Sequence, residues 1–390
     1  MFSDRFANAW GEPNPLWEAR LAAEAAGRRI LDLTGSNPTA SGIPYPAGIP
    51  ASLDRQAVLS YRPDPKGSPE AREAVSAYYA SRGRRLDPAD LILTASTSEA
   101  YSFLFKLLCD PGDEVLIPSP TYPLFDALAE LEHVRLVRYP LRRTDRWRAD
   151  FRFLESMVST RSKALILVNP NNPTGHLADA EEIRAYLRLA ADHGLALIVD
   201  EVFRDYPLGP QPFLPIESDG PLVFTLNGFS KTLGLPQLKL GWIHAAGARA
   251  AVQAALGHLE WIADAFLSVN TPVQAASGDL LKLAPAIQSR ILERLRNNLY
   301  AAEASLAERR ALRVLRPEAG WFLILEADSP QDDEAFALEL IEKDGVYVHP
   351  GHLFGFEEGC RVVASLLGPE TEFREGLQRI LDRAERTGHG

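Results

Sequence analysis

The chain has 390 residues, 46% of them hydrophobic and 24% charged, with 27 Gly and 29 Pro, an ordinary globular composition that excludes collagen-like and disordered classes. No apolar run approaches the roughly 18–20 residues that cross a bilayer, and a net charge of −11 opposes general binding to phosphate backbones. The length leaves room for two or three domains and a sizeable core.

The opening residues, MFSDRFANAWGEPNP, have no basic stretch followed by an apolar core and do not read as a signal peptide. Residues 16–26 read as a helix ended by Gly27, and a short apolar run follows at 29–33. Gly, Pro and Ser punctuate 35–50, and YRPDPKGS at 61–68 is a second loop leading into a helix over 69–82. Strand-like runs then recur at 91–94, 114–117, 134–139, 164–168, 195–199 and 222–226, with helical periods between several of them, as at 99–108 and 180–193. Short buried strands alternating with amphipathic helices predict an α/β fold with a mostly parallel sheet covered on both faces. Past Pro272 the texture changes. A long helical stretch over 273–310 precedes strand signals at 320–326, 345–348 and 360–365, a helix at 333–343 and a last helix over 370–386. A large α/β unit followed by a smaller C-terminal one is expected, with the N-terminal arm packing on the latter. The two cysteines, Cys109 and Cys360, are too few for a disulfide framework and fit a reducing cytoplasm.

Three of the predicted strands end in unusual polar residues: ALILV runs into NPNNPTG at 169–175, LALIV into Asp200-Glu201, and LVFTL into NGFSKT at 227–232. Taken singly, each has a bland reading: an Asp after a strand caps a helix, NPTG is turn chemistry, and a lone Lys is solvated. Ligands of open parallel sheets bind outside the carboxyl ends of the strands, so Asn172, Asp200 and Lys231 in succession point to one ligand. A lysine amine forms a Schiff base with an aldehyde, and pyridoxal phosphate also needs a carboxylate against its ring nitrogen. Its phosphate needs N–H groups and hydroxyls, which TASTSE at 94–99 offers where a strand opens into a helix. Taken alone, that cluster reads more simply as ordinary N-capping. His349 and His352 stand three apart, but no carboxylate or Cys motif completes a metal set, and loop histidines are the simpler reading. The six tryptophans read as core or interface, with Trp10 or Trp17 as candidates for a substrate pocket.

Further motifs stand in order around these residues: SNPT at 36–39, YRPDPKGSPEAR at 61–72, PSPTYPLF at 118–125, DEVF at 200–203, SKTLGLPQLKLGW at 230–242, VYVHPGHLFG at 346–355 and CRVVAS at 360–365. Each is weak alone. Together, over nearly the whole chain, they resemble the fold type I pyridoxal-phosphate aminotransferases of class I/II. The resemblance implies a seven-stranded-type sheet in a large domain over 46–272. It also implies a small α+β domain over 273–390, joined by an arm over 1–45. It implies that Lys231 carries the cofactor as a Schiff base, that Asp200 pairs with the ring nitrogen, that Asn172 bonds the ring 3-oxygen and that Tyr122 stacks on the ring. Thr97, Ser98, Ser230 and Lys239 would hold the phosphate, and Tyr61 would reach the phosphate of a partner subunit across a homodimer interface. Arg361 would clamp the substrate α-carboxylate, for which a planar guanidinium suits, with Ser36 and Asn172 beside it.

Two positions depart from the family pattern. Phe203 stands where a tyrosine usually bonds the 3-oxygen, with Tyr206 as a nearby hydroxyl, and Lys239 stands where an arginine is common. The expected activity is transfer of an amino group between an amino acid and a 2-oxo acid. A lyase, decarboxylase or oxidase on the same scaffold is the alternative, and a non-catalytic regulator is a further one. No nucleic acid or membrane partner is expected.

Overall fold

The computed structural model describes residues 14–307 and 309–388; Trp10 and most of the opening segment lie outside them. The strand runs assemble into one eight-stranded sheet. Its spatial order is Leu91–Thr94, Gly241–Ala246, Val223–Gly228, Ala196–Asp200, Ser162–Val168, Glu114–Ser119, Arg135–Arg143 and Trp147–Ala149. Gly241–Ala246 is antiparallel to both neighbours and Trp147–Ala149 is antiparallel to Arg135–Arg143, while the remaining pairings are parallel. Seven strands make the expected sheet, and the short eighth is the return arm of a hairpin at its edge.

The apolar runs are unbroken because both faces are covered. Ile166, Ile198 and Phe224 pack with residues of Thr97–Leu108, Leu124–Leu131 and Arg249–Phe266 on one side. Leu165, Leu197 and Val199 pack with residues of Ala180–His193 on the other. That last helix has the bounds read from the sequence, for a local reason. Asp179 and Glu182 form a reciprocal capping box at its start, and Gly194 closes it at φ 64°.

A second, antiparallel sheet runs Leu312–Leu315, Phe322–Ala327, Cys360–Ser365, His349–Pro350. Its inner face, with Leu323, Leu325, Val362 and Ala364, packs on residues of Ala284–Leu306, Asp333–Glu339 and Glu370–Thr387. The N-terminal segment joins this part of the molecule. Leu31–Asp32 pairs in parallel with Val346–Tyr347, and Arg20 of the first helix, Pro15–Ala25, bonds Asp32 at 2.8 Å and lies over the Tyr347 ring.

Local readings failed where they ran past a proline or missed a strand. The run at 273–310 is two helices, Thr271–Lys282 and Ala284–Leu306. Pro285 opens the second, since a proline ring inside a continuous helix would clash with the carbonyl four residues before it. The helix expected over 333–343 ends at Glu339 and widens into a π turn, Leu340–Asp344, closed by Gly345. Gly241–Ala246, Arg249–Phe266, Trp147–Ala149 and Leu312–Leu315 were not anticipated.

Beneath the end of the central strand lies a buried ionic knot. Glu201, wholly inaccessible, accepts from Arg84 and Arg204, each at 3.0 Å. Arg84 also reaches the Ile216 carbonyl at 2.9 Å. This knot anchors the residue next to Asp200. Arg84→Ala leaves part of a buried carboxylate uncompensated and should cost about 3–5 kcal/mol of stability. Equilibrium denaturant unfolding measures this, and a loss below about 1 kcal/mol would show that the pair contributes no more than a surface one.

Candidate active site

At the carboxyl edge of the large sheet the chain leaves a cavity of about 300 Å³. Ser36, Thr97, Ser98, Tyr122, Asn172, Asp200, Phe203, Ser230, Lys231 and Lys239 all line it. Residues far apart in sequence meet there because parallel strands deliver their carboxyl ends to one edge.

Asp200 is the last residue of Ala196–Asp200. Its Oδ1 accepts from the Val202 amide at 3.0 Å and its Oδ2 from the Tyr101 hydroxyl at 3.0 Å. Burial pushes its pKa up to about 6, against both of these bonds and the opposing charge of Lys231. Lys231 sits in the short helix Phe229–Thr232, directly after the strand Val223–Gly228. Burial brings its pKa down to about 8, with Asp200 pulling the other way. Its amine faces aromatic rings, 4.7 Å from the Trp321 centroid and 5.5 Å from that of Phe203.

Phe203 is 2% exposed and meets Trp321 edge to face at 5.4 Å, so it forms a wall of the cavity. The Tyr206 hydroxyl, considered as a replacement for a tyrosine at 203, donates to the Lys231 backbone carbonyl at 2.5 Å and holds the lysine's own turn. Among the described residues the Asn172 amide oxygen, an acceptor, is buried with no partner, so no bond through that oxygen commits the amide and its N–H can be turned to a ligand oxygen. Such an orphan costs about 1–3 kcal/mol and suits an amide kept for a ligand.

Opposite lies the amino end of Thr97–Leu108, where the Ser96 hydroxyl accepts from the Glu99 amide at 3.1 Å. Thr97 and Ser98 therefore lie in a helical first turn whose amides have no intrahelical acceptor and attract anions. The bland capping reading and the anion-site reading are both physical here, on neighbouring residues. Lys239 follows a 3-10 turn and adopts φ 51°, a left-handed conformation rare for a lysine, which places it on the cavity wall. The chemistry of this set fits pyridoxal phosphate: an amine, a carboxylate, a free amide and an anion-binding helix end with a lysine.

Two expected site residues lie elsewhere. Tyr61 is 73% exposed and outside the cavity. Arg361 faces Glu326 across the paired strands, with its Nε at 3.0 Å and Nη2 at 2.9 Å from Glu326 Oε1. Phe322, on the Glu326 strand, does line the cavity. Arg361 is paired four residues further along that strand and does not itself line the cavity. Trp17 is half-exposed on the first helix and His352 bonds Asp333 at 2.9 Å. Among the described residues no group of three or more His, Cys, Asp and Glu is placed to hold a metal ion.

Sequence reasoning missed Tyr101, Trp321 and Glu326. Trp321 reads as core or interface, Tyr101 carries no local signal, and only Glu326 offers one, an acid in an otherwise apolar strand.

A cavity that keeps an amine near neutrality beside a carboxylate defines an enzyme of amine and carbonyl chemistry. The chain belongs to the class I and II aminotransferase family, whose model matches residues 33–380. It is 30% identical over 355 residues to the alanine aminotransferase of Mycobacterium tuberculosis, covering 88% of this chain and 82% of that one. It is 25% identical over 352 residues to the glutamate-pyruvate aminotransferase of Escherichia coli, covering 88% and 87%. Among solved structures it superposes on the alanine aminotransferase of Pyrococcus furiosus with a TM-score of 0.90 at 22% identity, over 99% of this chain and 100% of that one. The protein is an aminotransferase, moving an amino group between an amino acid and a 2-oxo acid.

The lysine environment is directly testable. In the cofactor-free protein, acylation of Lys231 should rise with pH around a midpoint near 8, because the neutral amine is the nucleophile. Asp200→Asn removes the charge that favours the ammonium, so the midpoint should fall further. Residue-resolved mass spectrometry reads both, and an onset only near an ordinary lysine's pKa would contradict the desolvated site.

Proposed function

We propose that this aminotransferase uses pyridoxal phosphate held on Lys231. The observation that carries the reading is a buried lysine amine with a pKa near 8 in one cavity with Asp200 and the unpartnered Asn172 amide. Asp200 takes the ring nitrogen and Asn172 the 3-oxygen, while Tyr122 covers the ring. Thr97, Ser98, Ser230 and Lys239 take the phosphate. Phe203 adds no hydroxyl and confines the lysine amine together with Trp321.

When bound, the cofactor supplies an electron sink for the pair left on the substrate Cα. The protein's own part is acid–base chemistry. The Lys231 amine would take the proton from the substrate Cα and deliver it to the cofactor's C4′, a role suited to a group titrating near working pH. Asp200 in its ionised form keeps a positive charge on the ring nitrogen. The aromatic wall excludes water from the amine.

For the substrate we infer that Arg361 binds the α-carboxylate and that Ser36 and Asn172 line its path. Arg361 must then exchange Glu326 for the substrate. Lys231 and Lys239 are the only cations on the cavity wall among the described residues, which supports an amino donor with a small uncharged side chain. The relative from Mycobacterium tuberculosis is named an alanine aminotransferase, which agrees with a small donor. The lyase, decarboxylase and oxidase alternatives find no support among relatives, which carry transferase names.

We also propose a homodimer in which Tyr61 completes the partner's site. Support comes from Tyr61 itself and from the exposed Leu59, Trp261 and Leu267, 76%, 78% and 68% accessible, an apolar set that a single copy leaves wet. The arm over 1–45, the large domain over 46–272 and the small domain over 273–390 complete the reading, in a cytoplasmic protein.

The decisive experiment is borohydride reduction of the purified yellow protein followed by peptide mapping. The cofactor mass should sit on Lys231, and a label on another lysine overturns the assignment. For the substrate side, Arg361→Lys should raise KM for amino acids and 2-oxo acids alike, since both carry the α-carboxylate. Glu326→Gln, which releases the guanidinium, should lower both. Steady-state kinetics in both directions check this, and an effect confined to one substrate class would show that Arg361 reads a side chain.

A further inference from the structure

Tyr101 is the polar neighbour of Asp200 to which the chemistry above gives no part. It stands one turn into Thr97–Leu108, at four and three residues from Thr97 and Ser98 and so on the same face of the helix. Its ring is 3% exposed and packs edge to face on Phe125 at 5.0 Å, with Phe105 at 6.1 Å. In this apolar nest the hydroxyl has, among the described residues, one hydrogen-bond partner, Asp200 Oδ2 at 3.0 Å. A phenylalanine would satisfy the packing, so the hydroxyl needs its own explanation.

The groups around Asp200 act in both directions. Burial and the adjacent Glu201 favour the neutral acid, while the Val202 amide, the Tyr101 hydroxyl and Lys231 favour the carboxylate. Tyr122, which also lines the cavity, stays protonated at neutral pH because burial raises its pKa. Burial and Asp200 likewise hold the Tyr101 phenol well above its ordinary range, so it remains a donor. With Oδ1 on Val202 and Oδ2 on Tyr101, the carboxylate is also fixed in rotation.

We propose that Tyr101 is the positioning residue of Asp200, holding it ionised and correctly turned, and thereby setting how tightly the cofactor binds at mildly acid pH. One rigid helix then serves both ends of the cofactor, its first turn the phosphate and its second the carboxylate that meets the ring. The proposal rests on the reading of the cavity as a pyridoxal-phosphate site.

The test is a titration of the cofactor-free full chain with pyridoxal phosphate, followed by intrinsic fluorescence, at a series of pH values. Binding needs the Asp200 carboxylate, so affinity is lost as pH falls through its pKa. Removing a hydrogen bond to a charged group should move that pKa up by about one unit. Tyr101→Phe should therefore shift the acid limb of the affinity profile upward by about one pH unit. Affinity should fall up to about tenfold below pH 6 and stay unchanged above pH 8. The phosphate's own ionisation acts equally on both proteins and drops out of the comparison. In an Asp200→Asn background, Tyr101→Phe should have no pH-dependent effect.

An unshifted limb, or a loss uniform in pH, overturns the proposal and leaves Tyr101 a packing residue. If Asp200→Asn alone leaves cofactor affinity intact, the reading of the site itself falls, a result distinct from failure of the Tyr101 proposal.

Discussion

An amine and a carboxylate share one cavity, and the rest of the molecule is arranged around the cost of keeping them there. Burial opposes charge on both, which brings Lys231 down to about 8 and Asp200 up to about 6. Each partly rescues the other. The Val202 amide and the Tyr101 hydroxyl tip Asp200 toward its anion, while the Lys231 amine has aromatic rings beside it. The two groups therefore differ in support as well as in type. The acid is held charged, and the base is left free to lose its proton.

That arrangement requires a scaffold that does not yield. The strand ending at Asp200 is buried on both faces along its whole length, and the next residue is tied by two arginines. Lys231 is fixed at its backbone by Tyr206, whose hydroxyl serves the lysine's carbonyl in place of any ligand. Phe203 fits this scheme. With Tyr206 engaged at the lysine's backbone and Trp321 beside it, an aromatic hydrocarbon at 203 completes an aromatic wall next to the amine.

The two sheets meet where the NPTG turn touches the segment before Phe322. Gly175, at φ 69°, lies so close to that segment that a Cβ would come within 2.4 Å of Pro317 and 2.5 Å of the Ala319 carbonyl. Its own carbonyl accepts from the Glu318 and Ala319 amides. His176 stands between Glu182 at 3.1 Å and Glu318 at 3.3 Å. The turn that presents Asn172 to the cavity is thus the same one that fastens the second sheet, and with it Phe322 and Arg361, to the first.

The sequence by itself determined whatever depends on near neighbours. Asp179 and Gly194 bound a helix because capping is local, and the apolar runs marked strands buried on both faces. The polar residues that end those strands announced the cavity, since strand ends share one edge. Motif order disclosed the family. Tertiary structure alone decided which groups meet across the chain. Nothing local distinguishes the Tyr101 hydroxyl from that of any core tyrosine, because its partner lies on another strand. Arg361 reads as a free guanidinium until strand register sets Glu326 opposite it. Gly241–Ala246 becomes a strand because two others leave a place between them. Pairing, register and the burial that shifts a pKa are relations between distant segments, and a linear pattern holds only the residues that take part in them.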